Sequence, residues 1–156
     1  MRLRYFPGFL GFLSSFLLCA SVPSTAEQVS NQTNARERAL VAQSYTTEKL
    51  WMWQKRLKLE DWNITVTVAR SNELKPRTLG NIHWDADKKR AVIKVLDPVD
   101  YTLAQPEMLA DMEFTVVHEL IHLELSSLPR SEASRSEEEI AVNQIARALL
   151  ALDRKR

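Results

Sequence analysis

The chain has 156 residues, 45% hydrophobic and 26% charged, a globular balance with room for one domain that excludes a disordered or low-complexity protein. Its 21 basic residues against 20 acidic ones leave no electrostatic footprint for nucleic acid, so no nucleic-acid partner is expected. The single cysteine, Cys19, excludes an internal disulfide and a thiolate-rich metal site.

Residues 1–26 have the order of a secretory signal peptide: basic MRLR, apolar FPGFLGFLSSFLLCA, then SVPSTA, with cleavage expected after Ser24-Thr25-Ala26. Interrupted by Pro7, Gly8 and Gly11, the apolar stretch is short for a span that needs about 20 residues. Membrane association is expected only if the segment stays uncleaved. A lipid anchor on Cys19 is disfavoured by the bulk of Leu18 before it. The expected location is therefore outside the cytoplasm, periplasmic or extracellular. Cys19 leaves with the segment, as do two arginines and no acid, so the remainder carries 19 basic and 20 acidic residues, a net charge of −1. Any metal site must then use His and carboxylate.

A polar leader over residues 27–34 precedes one compact domain over residues 35–156. Helix formers run from about Ala35 to Leu59, with Leu50, Trp53 and Leu57 on one face. The pair Trp51 and Trp53 is expected to pack against a sheet. From Asn63, NITVTVAR alternates Ile64, Val66 and Val68 with threonines, the period of a half-buried strand. After a loop containing Pro76, GNIHWD and RAVIKVL read as a hairpin across the turn DADKK. With no helix between these strands, the sheet is expected to be antiparallel. The sequons at Asn31 and Asn63 are short patterns and carry no role.

Pro106 opens the next helix, and Phe114, Val117, Ile121 and Leu125 carry it to about Ser126, before Pro129 forbids continuation. The last helix runs through EEEIAVNQIARALLAL, with Val142, Ile145, Leu149 and Leu152 expected inward.

The first of these two helices carries HELIH. At i and i+4 His118 and His122 point the same way and can take two corners of a tetrahedral zinc ion. Glu119 is badly angled for a ligand but well placed to take a proton from an activated water. Apolar flanks bury this turn, and buried histidines need partners. A core helix with satisfied imidazoles is the plainer alternative.

The missing ligand is expected from the last helix, whose inward stripe extended back from Val142 reaches Glu139 and Glu138. A carboxylate facing the core needs a reason, and a metal held by His118, His122 and Glu139 supplies one. Ser136 to Glu139 also fits a capping box, as does Ser134 to Glu137.

HELIH, the following glutamate helix and the order helix, three strands, helix, helix together resemble the gluzincin metallopeptidases in their minimal form. The resemblance implies a zincin-like α+β fold and a Zn2+ cofactor hydrolysing a peptide or protein substrate. Family members place an Asp four residues after the ligand glutamate, which favours Glu139 over Glu138. Asn143 stands at that position, where its carbonyl can accept from an imidazole without the usual charge. The edge strand that pairs with extended substrate corresponds to Asn81, Ile82, His83 and Trp84. Family members stabilise the oxyanion with a His or Tyr beyond the glutamate helix, and neither follows Glu139 here. That leaves Tyr101, His83, the metal alone, or nothing; Tyr101, in the loop entering the HELIH helix, is the expected one.

Two functions are expected to compete. One is an exported zinc peptidase with Glu119 as general base. The other is a zinc-binding module, weak or inactive in catalysis, that holds a peptide or partner protein in the same pocket.

Overall fold

The computed structural model describes residues 25–129 and 134–155. Helix α1 spans Thr25–Arg56, strand β1 Asn63–Ala69, β2 Gly80–Asp85, β3 Arg90–Leu96, α2 Gln105–Glu124 and α3 Arg135–Asp153. Among the described residues the architecture is α+β, three α-helices with one three-stranded sheet. The expected export segment lies outside the described residues apart from Thr25 and Ala26, which open α1. None of the helices among the described residues is long and apolar enough to cross a membrane.

α1 starts ten residues before the expected Ala35 and takes the polar leader into the helix. Residues 29, 30 and 32–34 are exposed, and the segment lacks an apolar stripe, so no packing signal marks it. Extending a formed helix is easier than nucleating one. Further along, Leu50 and Trp53 are buried as expected, whereas Trp51 is exposed with Lys55 Nζ 4.4 Å above its ring.

The sheet is mixed, which corrects the antiparallel expectation. Its order is β1-β3-β2, with β1 parallel and β2 antiparallel to β3. β1 and β2 do run in opposite directions, but they are not neighbours. The hairpin returns β3 into the gap between them, so a parallel pair arises without the helical crossover that consecutive parallel strands require. Ile64, Val66, Ala91, Ile93 and Val95 form the inner face against the helices. Thr65, Thr67 and Val92 face outward, as the period of two demands.

β2 lies at the sheet edge beside α2. Gly80 permits that approach, since a Cβ there would sit 2.5 Å from the Lys94 carbonyl oxygen and closer still to Thr115 Cγ2.

α1 and α2 are joined by a polar knot around Glu113, a buried carboxylate. It accepts from Trp53 Nε1 at 2.9 Å and the Tyr45 hydroxyl at 3.1 Å, and pairs with Lys49 Nζ at 3.2 Å. Burial, and then the Glu113 charge, push the Tyr45 phenol well above its ordinary pKa. Removing the carboxylate strands a buried indole N–H and a largely buried ammonium. The Glu113→Ala variant is expected to lose about 2–3 kcal/mol of stability, measured as a shifted urea midpoint at unchanged slope.

α3 begins at Arg135, ahead of Ser136, so Glu139 lies inside the helix and is not a capping residue. Its buried residues are Val142, Ala146 and Leu150, with Leu149 partly buried, while Ile145 and Leu152 are exposed. The expected stripe is thus correct at Val142 and Leu149 and wrong at Ile145 and Leu152. Small Ala146 takes the contact, which lets α3 pack closely.

Candidate metal centre

α2 turns one strip toward a cleft of about 620 Å³ bordered by β2 and the first turns of α3. Asp111, Phe114, Thr115, His118, Glu119 and His122 line it from α2, as the i, i+3, i+4 spacing of one helix face requires. Glu138, Glu139 and Asn143 line it from α3.

His118 Nε2 and His122 Nε2 face each other at 3.0 Å. The Glu139 carboxylate spans them, with Oε1 3.2 Å from His122 Nε2 and Oε2 3.4 Å from His118 Nε2. Ligands at about 2.0–2.1 Å around a tetrahedral zinc stand roughly 3.3 Å apart, so this donor set matches the edges of such a site. The three ligand atoms lie within 4.8 Å of one another and could hold a metal ion.

The surroundings favour the ligand form of both rings. Glu138 Oε1 lies 3.0 Å from His122 Nδ1. With the proton on Nδ1, that ring donates to Glu138 and presents an Nε2 lone pair to the cleft. Burial first, and then His122, lower the pKa of His118 and keep it neutral. Glu138 and Glu139 therefore hold different positions: Glu139 sits on the converging atoms and Glu138 behind them.

His118 Nδ1 is buried and finds no hydrogen-bond partner among the described residues. Asn143, the residue expected to orient it, is close enough to favour the charged imidazole, but donates its amide N–H to the Glu139 carbonyl at 2.8 Å. The two rings are thus unequally supported. Glu138→Gln is expected to weaken zinc binding about 10-fold or more, and Asn143→Asp to strengthen it by giving His118 Nδ1 a charged acceptor. Competition with a chromophoric chelator reads both.

Glu119 is buried, and burial first, then the Glu139 charge, push its carboxyl up to about 7, with Lys75 pulling the other way. Such a group can both take and return a proton near neutral pH.

Tyr101 and His83 do not join the site. The Tyr101 hydroxyl donates to Asp111 at 2.9 Å, and its ring packs on Ala69, Leu74 and Leu96. That burial raises its pKa far above the usual phenol range, and the Asp111 contact ties the entry loop to α2, with Tyr101 outside the lining of the cleft. His83 pairs with Val92 and is exposed on the outer sheet face, whereas Ile82 and Trp84, two residues apart in phase, line the cleft with Asn81. Among the lining residues missed in the sequence are three bases, Lys75, Arg77 and Arg135. The Lys75-Pro76-Arg77 turn just before the edge strand was the available signal for the first two.

No family model matches the chain, and neither a curated protein nor a solved structure does.

Proposed function

We propose that the chain is a small zinc-dependent metallopeptidase of zincin-like, gluzincin type, hydrolysing peptide bonds in a peptide or protein substrate. The observation that carries this reading is the placement of three converging ligand atoms and a buried carboxyl, Glu119, in the same cleft beside a sheet edge. His118, His122 and Glu139 would hold the ion. Zinc, when bound, supplies Lewis acidity that polarises a carbonyl and makes water acidic near neutral pH.

The chain's own groups do the rest. Glu119 takes a proton from the attacking water, shielded from bulk solvent, and returns it to the leaving amine. The outer edge of β2 offers backbone groups that an extended substrate can pair with as an added strand. Glu138 keeps the His122 proton on Nδ1, away from the reacting side. Export to the periplasm or beyond is part of the proposal and rests on the pattern of residues 1–26.

A zinc-binding module that holds a peptide without cutting it is the second reading, favoured by the unsupported His118 Nδ1. The deciding experiment is metal analysis of the purified protein beside Glu139→Ala, followed by digestion of a peptide library read by mass spectrometry. About one zinc per chain, lost in the variant, together with cleavage, supports the peptidase. Zinc without cleavage supports the module, and well-folded protein with no affinity for zinc overturns both.

A further inference from the structure

The acids that line the cleft are all occupied. Asp111 accepts from Tyr101, Glu138 lies against His122, Glu139 spans both histidines, and Glu119 is buried. The bases are not: Lys75, Arg77 and Arg135 line the cleft, and none forms an ion pair with a carboxylate among the described residues. The groups left with open hydrogen-bonding capacity for a ligand are therefore cationic, and a bound dication would tip the balance of charge in the cleft toward positive.

The segment that presents two of these cations is built for presentation. Thr78 N–H donates to the Lys75 carbonyl at 3.1 Å and the Thr78 hydroxyl to the same oxygen at 2.8 Å, closing a turn over Lys75-Pro76-Arg77-Thr78. Pro at the second position and a positive φ at the third are the pattern of a type II turn, where glycine is the unstrained residue. Arg77 occupies that third position at φ 65°. The turn thus holds the Arg77 side chain on the cleft wall. Gly80, two residues after the turn, seats this wall against α2.

We infer that the cleft selects peptides carrying a carboxylate, received by Lys75 and Arg77 on the turn before β2 and by Arg135 at the start of α3. The inference rests on the peptidase reading in taking the anion to belong to a peptide. A guanidinium offers paired N–H donors that match a carboxylate, and an ammonium adds a mobile point charge. The carboxylate has two sources, an acidic side chain or a free C-terminus, and both present the same chemistry.

Four hexapeptides separate them: one of alanine and leucine with a central glutamate, its glutamine counterpart, and each of these with a free or amidated C-terminus. Binding is measured by calorimetry to the Glu119→Gln protein, so that no peptide is consumed, and to the same protein carrying Lys75→Ala and Arg77→Gly. The glycine removes the left-handed strain, so an unchanged or higher Tm shows that lost binding is not lost folding. The expected result is at least about tenfold tighter binding of peptides bearing the recognised carboxylate, weakened by salt and abolished in the double variant. A preference for central glutamate assigns the side chain, and one for the free end assigns the C-terminus. Equal affinity for all four, a preference that survives the double variant, or no measurable binding overturns the inference. Failure of the peptidase reading is distinct: the wild type then cuts none of the four while the carboxylate preference persists.

Discussion

The Glu119→Gln variant is expected to keep its fold and its metal and to lose at least about 100-fold in hydrolysis, the usual scale of general base catalysis. The amide is nearly isosteric with the carboxylate, and Glu119 is not among the converging ligand atoms. Substitution therefore takes away the proton acceptor and little else. The comparison needs zinc content and thermal stability measured beside the cleavage rate, because a drop in rate with a drop in zinc would report a damaged site. A variant that cuts as fast as wild type would show that another group takes the proton.

Removing a ligand should act the other way round. His122→Ala deletes the ring that meets both His118 Nε2 and the Glu139 carboxylate, and it leaves Glu138 without its imidazole partner. Zinc content is expected to fall from about one per chain to near zero. Zinc stabilises only a protein that binds it, by about 2.7 kcal/mol at a hundredfold excess over Kd. Wild type should accordingly gain on the order of 10 °C in Tm when zinc is added, and the variant nothing. The same pair of melts after chelation should coincide in their lack of response. A zinc-dependent Tm shift that survives His122→Ala would remove that residue from the ligand set. Glu139→Gln is expected to behave like His122→Ala, and Glu138→Gln to lose affinity while still responding to excess zinc, because Glu138 meets its histidine on the Nδ1 side, away from the converging atoms.

Much of the domain was legible residue by residue. β1, β2 and β3 begin where their alternating patterns begin, at Asn63, Gly80 and Arg90. α2 carries Pro106 in its first turn as expected. A side-chain period is a local property, so a window of seven residues contains all of it. The pairing of His118 with His122 is local too, since four residues of helix bring them onto one face whatever the rest of the chain does.

The misplaced features depend on distance along the chain. The parallel β1–β3 pair could not be read from the strands, because the choice of neighbour is made by where the hairpin inserts. In α3 the heptad-like stripe favoured the large Ile145 and Leu152, yet Ala146 and Leu150 turned inward; closeness of approach to α2 selected the smaller side chain. Tyr101 had the right chemistry in the right loop, but apolar neighbours from β1 and β3 drew its ring inward and Asp111 took its hydroxyl.

By itself, then, the sequence determined the three strands, the helix that carries HELIH, and the two histidines with the glutamate between them, since each follows from spacing within one helix or strand. It also narrowed the third candidate ligand to two adjacent glutamates. Only the tertiary structure assigned Glu139 to the converging atoms and Glu138 to the far side of His122. The rotation of α3 about its axis decides that difference of one residue, and the fit of Val142, Ala146 and Leu150 against the core sets the rotation. The cationic turn at Lys75 and Arg77 came the same way. Its charges are unremarkable in the chain and acquire a role only because β2 seats them beside α2, where every neighbouring acid already has a partner or is buried.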